Sequence, residues 1–165
     1  MTIRTYTIHT DGSCLNNGSP FAIGGFGAVL RRDDGAVLEV AGRLNDSVTP
    51  TSVRAEMTAA IRALSRLKDP SIVTLCSDNE MLVRGCNEWL PGWKAENWRK
   101  SKKNPVKNVD LWEILDALLQ RHKVQSVWIK GHGGNPDNER ADQLASLGVH
   151  GKPFNELQDL ERPLI

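Results

Sequence analysis

The sequence lacks any long hydrophobic run. Its longest apolar stretch, residues 22–30, has nine residues, and three of them are glycines. A membrane-spanning helix needs about 20 mostly apolar residues, so this stretch does not form one. The first ten residues include Arg4, His9 and several threonines, which does not fit a secretory signal. We therefore expect a cytoplasmic protein with no membrane partner.

Cysteine is scarce, and neither sign of charge is in excess. Cys14, Cys76 and Cys86 are an odd number of cysteines, spaced neither as a disulfide framework nor as a CxxC metal site, which indicates reduced thiols. The four histidines have no spacing typical of a zinc site. Lys and Arg number 21 against 20 Asp and Glu, so the net charge is +1. Any attraction to nucleic acid must therefore come from a local cluster of charge.

The chain also lacks internal repeats, low-complexity tracts and any linker that would divide it. Its 165 residues are close to the usual size of one domain. Beyond residue 150 the sequence contains Pro153, Pro163 and few apolar residues. We predict one catalytic domain over residues 1–150 and a loosely packed C-terminal tail over residues 151–165.

The pattern of apolar residues predicts three strands at the start of the domain. Residues 3–10 are rich in β-formers and run into Asp11-Gly12-Ser13, a turn signal that predicts a strand ending at Asp11. Residues 25–32 and 36–43 are two apolar runs joined by Asp33-Asp34-Gly35, which predicts a β-hairpin.

Helices and strands alternate in the rest of the chain. Helical periodicity covers residues 52–67, 79–90, 109–120 and 139–147, with the last helix ended by Gly148. Short apolar strands are predicted over residues 72–76 and 124–130. The order βββαβααβα predicts an α/β fold, a mixed sheet with helices on its faces.

Four acidic residues are candidates for a ligand site, which an open α/β sheet places at the carboxyl ends of its strands. Asp11 and Asp78 each follow a predicted strand, Glu56 borders the apolar stripe of the first helix, and Asp142 lies in the last helix. Each has an alternative reading as a turn residue, a helix cap, a first-turn acid or a surface ion pair. Carboxylates held together at neutral pH need a cation between them, and oxygen ligands favour Mg²⁺ or Mn²⁺.

Basic residues are concentrated in one segment. Residues 92–107 hold six basic side chains and one acid, a local charge of +5 in a chain of net charge +1. Trp93 and Trp98 are interleaved with them, and Trp89 precedes them. This composition suits the binding of nucleic-acid phosphates, although a solvated charged loop with tryptophans folded onto the core is the alternative.

Five short segments together resemble type 1 ribonuclease H of the bacterial kind, the ribonuclease HI family. They are Thr10-Asp11-Gly12-Ser13-Cys14, Arg54-Ala55-Glu56-Met57, Ser77-Asp78-Asn79, Lys130-Gly131-His132 and Asn138-Glu139-Arg140-Ala141-Asp142. The resemblance implies a five-stranded sheet in the order 3-2-1-4-5. It also implies that Asp11, Glu56, Asp78 and Asp142 bind metal and that His132 is catalytic.

The activity implied by the resemblance is cleavage of the RNA strand in RNA/DNA hybrids. Two Mg²⁺ ions, with Mn²⁺ as a possible substitute, would activate a water and stabilise the departing oxygen, which leaves a 5′-phosphate and a 3′-hydroxyl. His132 would assist proton movement or product release. The basic segment, at about residues 91–108, corresponds to the protrusion, or handle, that binds the hybrid.

Residues that contact the hybrid are also implied by the resemblance. Val53 and Glu80 depart from the family, which usually has amides there, so we expect weaker or altered hybrid binding. The residues expected to contact the minor groove of the hybrid are Cys14, Asn17, Thr51 and Ser52. Those expected to contact it from the handle are Trp93, Lys94, Trp98, Lys100, Lys102 and Lys103.

Two other functions fit the same features. Nucleases that cut DNA share this fold and its acid cluster, so fold alone does not name the substrate. A non-catalytic module that binds hybrids is the second alternative, although the presence of all four carboxylates argues against it. No obligatory protein partner is indicated, and we expect a monomer.

Overall fold

The order of elements agrees with the prediction from sequence. The computed structural model describes residues 3–45, 47–100 and 104–151. The strands are β1 (Thr5–Leu15), β2 (Ile23–Arg32), β3 (Val37–Arg43), β4 (Ile72–Ser77) and β5 (Lys123–Trp128). The helices are α1 (Ser52–Ser65), α2 (Glu80–Arg84), a π-helix (Gly85–Trp89), α3 (Leu90–Ala95), α4 (Val109–Arg121) and α5 (Pro136–His150).

The five strands form one mixed sheet in the order β3-β2-β1-β4-β5. The β1–β2 and β2–β3 pairs are antiparallel, whereas the β1–β4 and β4–β5 pairs are parallel. The predicted fold class and strand order are confirmed. Among the residues that the structure describes, no helix is both long enough and apolar enough to cross a bilayer.

Helices cover both faces of the sheet because side chains alternate along each strand. On one face, Ala28 and Leu30 of β2 join a core that α1 and α4 complete with Met57, Leu64 and Trp112. On the other face, Val29 packs with Leu144 of α5. The central strand β1 is therefore held between α1 and α5, and both helices carry a predicted acidic residue.

The first strand does not end at Asp11, as the turn signal predicted. It continues to Leu15, because its antiparallel pairing with β2 extends to Leu15 opposite Ile23. Its parallel pairing with β4 stops earlier, at His9 opposite Cys76. Asp11 therefore lies inside β1, two residues beyond the last residue of β1 that pairs with β4.

Two helix boundaries also differ from the prediction. The helix after β4 does not stop near Leu90 but passes through a π-turn and continues to Ala95, with Pro91 in the first turn of α3, where its missing N–H is tolerated. Helix α5 is not ended by Gly148, which lies against the backbone of Gly42. It ends before Gly151, whose φ of 60° lies in the left-handed region that favours glycine.

Candidate active site

Three carboxylates converge at one end of the two central strands. One oxygen from each of Asp11, Glu56 and Asp78 lies within 4.8 Å of the others. Asp11 and Asp78 are each two residues beyond the last β1–β4 pair, His9 opposite Cys76, so the parallel register brings them level. The sequence placed these residues 67 positions apart, and the sheet brings them together.

Glu56 reaches this cluster because α1 packs closely on β1. A Cβ atom at Gly12 would collide with the backbone of Ala55 and Glu56, so the helix can approach the strand only where residue 12 is glycine. The Glu56 side chain is buried, and its Oε2 atom has no hydrogen-bond partner among the residues that the structure describes. A buried carboxylate oxygen without a partner is costly, and a bound cation would satisfy it.

Burial and mutual repulsion make the cluster reluctant to ionise. Burial, and to a smaller extent the charge of Asp78, raises the pKa of Asp11 to about 7, although its hydrogen bond with Glu56 acts in the opposite direction. Burial and the charge of Asp11 raise the pKa of Glu56 to about 10. The pKa of Asp78 is also raised, first by burial and then by Asp142. This set of oxygen ligands fits a divalent cation, which would favour the ionised forms.

Asp142 approaches the same cluster from α5. Its side chain is exposed, and it lies outside the compact group of three. It nevertheless lies close enough to contribute to the raised pKa of both Asp11 and Asp78. Three of the four predicted carboxylates therefore converge, and the fourth is near enough to affect the pKa values of two of them.

The metal-free protein is expected to lose stability as pH rises from about 4 to about 7. The pKa of Asp11 in the folded state exceeds its unfolded value, so the folded protein binds more protons in this window and the free energy of unfolding falls as they leave. Asp11→Asn should therefore stabilise the metal-free protein at pH 7 by up to about 4 kcal/mol, since one pKa unit corresponds to about 1.4 kcal/mol. Urea unfolding in chelator at pH 5 and 7.5 measures this. A matched Asp69→Asn control should leave the pH dependence unchanged, and an equal slope in both variants would contradict the prediction.

His132 lies on the loop between β5 and α5. Its side chain is exposed and its φ is 54°, in the left-handed region that non-glycine residues rarely adopt. The loop passes close to Asp78, since a Cβ on Gly131 would lie 3.0 Å from Asp78 Oδ2. The charge of His132 also acts to lower the pKa of Asp78. His132 is thus at the edge of the acid cluster.

Most of the residues expected to contact the minor groove of the hybrid lie at the start of α1. The Oδ1 atom of Asn17 accepts a hydrogen bond from the Ser52 backbone N–H at 3.2 Å. Thr51 caps α1 by accepting from the Arg54 N–H at 3.1 Å. Cys14 is half-buried on β1, three residues after Asp11. Val53, by contrast, packs against the hydrophobic core.

The handle tryptophans pack inward. Trp93 contacts Trp89 and Trp112, with ring centroids 5.5 and 5.2 Å apart, and Trp98 also packs against the core. Inward packing is the alternative that the sequence left open for these rings, and each keeps a half-exposed surface.

The positive charge of the handle is only partly available for binding nucleic acid. Lys94 forms a 2.9 Å ion pair with Asp116 of α4. Lys100 is exposed, and with Arg99 it lines a cavity of about 500 Å³ beside Trp89 and Trp93. Lys102 and Lys103, and the tail beyond residue 151, lie outside the described residues.

One residue beside the site was missed by the sequence analysis. The indole N–H of Trp128, at the end of β5, donates to the backbone carbonyl of Asp78 at 3.2 Å. The side chain is 52% exposed, so it is not simply a core residue. Its position just before Lys130-Gly131-His132 was the available signal. Trp128 therefore braces the turn that carries Asp78.

Comparison with known proteins agrees with this architecture. The sequence profile of the RNase H family matches residues 4–150. A protein named Ribonuclease H from Thiobacillus denitrificans is 48% identical over 149 residues, which cover 90% of this chain and 96% of the relative. Another from a Polaromonas species is 50% identical over 144 residues, which cover 86% of each. The crystal structure of LC9-RNase H1, 24% identical, superposes with a TM-score of 0.77 over 93% of this chain and 75% of the other.

The sheet order and the helices that flank it define a ribonuclease H-like fold. The chain belongs to the ribonuclease H family. That family depends on divalent metal, and an acidic cluster able to hold one is present here.

Proposed function

We propose that this protein is an endoribonuclease that hydrolyses the RNA strand of RNA/DNA hybrids and leaves 5′-phosphate and 3′-hydroxyl ends. The observation that carries the proposal is the convergence of Asp11, Glu56 and Asp78 on one point, in a chain of the ribonuclease H family. Catalytic function fits this cluster better than structural function, because buried like charges destabilise a fold that does not use them.

The cation of this centre is Mg²⁺, with Mn²⁺ as a substitute. Asp11, Glu56 and Asp78 would hold it, and Asp142 would complete the oxygen ligands from the exposed side. When bound, divalent ions lower the pKa of water and stabilise charge on the departing oxygen in an in-line displacement at phosphorus. The Oε2 atom of Glu56 supports an ion at this place, since no group in the described part of the chain forms a hydrogen bond with it.

His132 moves a proton at the edge of the cluster. Its exposed position on a loop beside Asp78 suits a group that accepts or donates a proton to the reacting strand without holding the metal. Imidazole is the side chain best suited to this exchange near neutral pH.

The hybrid lies across the end of the sheet that carries Asp11 and Asp78, from the residues expected to contact its minor groove to the handle. Cys14, Asn17, Thr51 and Ser52 offer small polar groups near the end of β1 and the start of α1, the two elements that carry Asp11 and Glu56, which suits the wide and shallow minor groove of a hybrid. The handle, residues 91–108, holds phosphates through Lys100, Lys102 and Lys103, and Lys94, Trp93 and Trp98 of the same segment contribute to the contact with the hybrid. The catalytic domain spans residues 1–150 and acts as a monomer in the cytoplasm, where Cys14, Cys76 and Cys86 remain free thiols.

A cleavage assay with labelled substrates tests the proposal. RNA/DNA hybrid, duplex DNA and duplex RNA of one sequence are incubated with the protein in Mg²⁺, in Mn²⁺ and in chelator. Cleavage of only the RNA strand of the hybrid, lost in chelator, is the expected result. Cleavage of duplex DNA would identify a DNA nuclease, and hybrid binding with no turnover in either metal would identify a binding module.

Neutralising the handle is expected to weaken substrate binding and leave chemistry intact. Changing Lys100, Lys102 and Lys103 to Ala should raise KM about tenfold with little change in kcat, because each lost phosphate contact weakens ground state and transition state equally. Each lost contact should also flatten the slope of log affinity against log salt by about 0.7 to 0.9.

The control for the handle variant removes positive charge elsewhere. Lys123 begins β5, at the opposite end of the sheet from Asp78, and Lys68 is exposed in the segment between α1 and β4. Lys68→Ala with Lys123→Ala should therefore change neither KM nor salt slope. A fall in kcat at constant KM in the handle variant would show instead that the handle positions the scissile phosphate.

A further inference from the structure

Gly27 joins the centre of β2 to α5 at the level of the acid cluster. In the antiparallel register of β1 and β2, Gly27 is the partner of Asp11. A Cβ on Gly27 would lie 2.5 Å from the backbone nitrogen of Ala145, 2.6 Å from Leu144 Cβ and still closer to the Ala141 carbonyl oxygen. Real Cβ atoms do not approach other atoms within 3.0 Å, so α5 lies directly on β2 only because residue 27 has no side chain.

This contact is one residue away from Asp142. Asp142 follows Ala141 in α5, so any movement of the helix away from β2 at Ala141 moves the Asp142 carboxylate with it. The other three carboxylates lie on β1, on α1 and directly after β4, so none of them is carried by α5 itself. The packing of α5 on β2 therefore decides whether the fourth carboxylate reaches Asp11.

An ion pair holds the same helix one turn earlier. Arg31, four residues along β2 from Gly27, forms a two-pronged bond to Asp137 in the first turn of α5. Its Nε atom is 2.5 Å from Asp137 Oδ2 and its Nη2 atom 2.9 Å from Oδ1. Asp137 also lies 3.9 Å from Nδ1 of the buried His9 on β1. The start of α5 is thus tied to both strands next to the site.

We propose that Gly27 is a positioning residue for the metal centre, and that its backbone contact with Ala141 of α5 sets the distance between the carboxylates of Asp142 and Asp11. The inference rests on the proposed function, since it assigns Asp142 to the metal centre. Gly27 touches neither metal nor substrate and acts only through α5.

Gly25 provides a matched control for a Gly27→Ala test. It lies on the same strand and against the same helix, and a Cβ there would collide with Ala145 and Val149, further along α5 and away from Asp142. Gly25→Ala therefore shares the collision at Ala145 and differs from Gly27→Ala in leaving Ala141, the residue next to Asp142, without a collision. The two variants should lose similar stability in chelator, measured by urea unfolding.

Metal binding separates the two variants. Calorimetric titration with Mn²⁺, which needs no substrate, should give a Kd at least tenfold weaker for Gly27→Ala and less than threefold weaker for Gly25→Ala, because groups that orient metal ligands typically contribute 10- to 100-fold in affinity. Equal affinities in the two variants overturn the positioning role. Absence of Mn²⁺ binding and of hybrid cleavage in the unsubstituted protein overturns the proposed function itself.

If Gly27→Ala does not fold, a second pair of variants tests whether the packing of α5 on β2 positions Asp142 for metal binding. Arg31→Met removes the bond to Asp137 without a steric collision, and Arg32→Met removes the equivalent two-pronged bond to Asp34, which lies in the β2–β3 turn. Arg31→Met should weaken Mn²⁺ binding about threefold or more, and Arg32→Met should not. Unchanged affinity in Arg31→Met would overturn the inference that α5 packing sets the position of Asp142.

Discussion

Asp11→Asn and Asp78→Asn proteins are expected to fold and to turn over RNA/DNA hybrid at least a thousandfold more slowly than the unsubstituted protein. Each change keeps the shape of the side chain and removes one of the three carboxyl groups that converge within 4.8 Å and that would bind the cation in their ionised form. A thousandfold loss corresponds to about 4 kcal/mol of transition-state stabilisation. The measurement is kcat on labelled hybrid at saturating Mg²⁺.

The control for this prediction is the same substitution at an exposed acid away from the site. Asp69→Asn lies before β4, at the opposite end of that strand from Asp78, and should leave kcat unchanged. Calorimetry with Mn²⁺ shows whether the lost activity follows lost metal. Near-normal turnover in either acid variant would mean that the reaction takes place elsewhere on the molecule.

The metal-free stability of the same variants separates catalytic loss from unfolding. Removing a charge from a buried acidic cluster relieves repulsion, so Asp11→Asn should be inactive and yet more stable at pH 7 without metal. A variant that lost activity because it unfolded would show the opposite change in stability. Inactivity with increased stability is therefore a specific signature of a site that needs its cation.

Much of the fold could be predicted from sequence because hydrophobic periodicity is a local signal. The hairpin of β2 and β3, helices α1 and α4 and the short strand β4 all follow it. The errors fall where contacts between elements override local signals. Asp11-Gly12 is a turn pattern, yet β2 pairs with it and extends the strand. Gly148 normally ends a helix, but here it lets α5 lie against the backbone of Gly42.

The candidate site, like the fold, could be predicted from sequence only in part. The types of its residues and their order along the chain pointed to four carboxylates and a histidine. The distances between them could not be predicted, because they depend on how closely α1 and α5 approach the sheet. Those approaches are set at Gly12 and Gly27, and a glycine in a strand sequence does not reveal which helix it meets. Trp128 was missed for a related reason, since its partner is a backbone carbonyl 50 residues away.

His132→Ala is expected to lower turnover about a hundredfold, less than the loss of any carboxylate, and to leave metal binding intact. The side chain is exposed on a loop beside Asp78, and it is absent from the compact oxygen cluster, so its removal takes away a proton carrier and no metal ligand. A general acid or base contributes roughly 10² to 10⁴ in rate. The measurement is kcat with hybrid, alongside the Kd for Mn²⁺.

The pH dependence of the His132→Ala variant tests the role more sharply than its rate. If His132 exchanges the proton, its removal should flatten the change in kcat across neutral pH, and added imidazole should restore part of the activity. His150→Ala, an exposed histidine at the end of α5, should show neither effect. A loss equal to that of Asp78→Asn, with weakened Mn²⁺ binding, would place His132 among the metal ligands. That result would also require the loop after Gly131 to fold inward over Asp78, where the structure leaves His132 facing solvent.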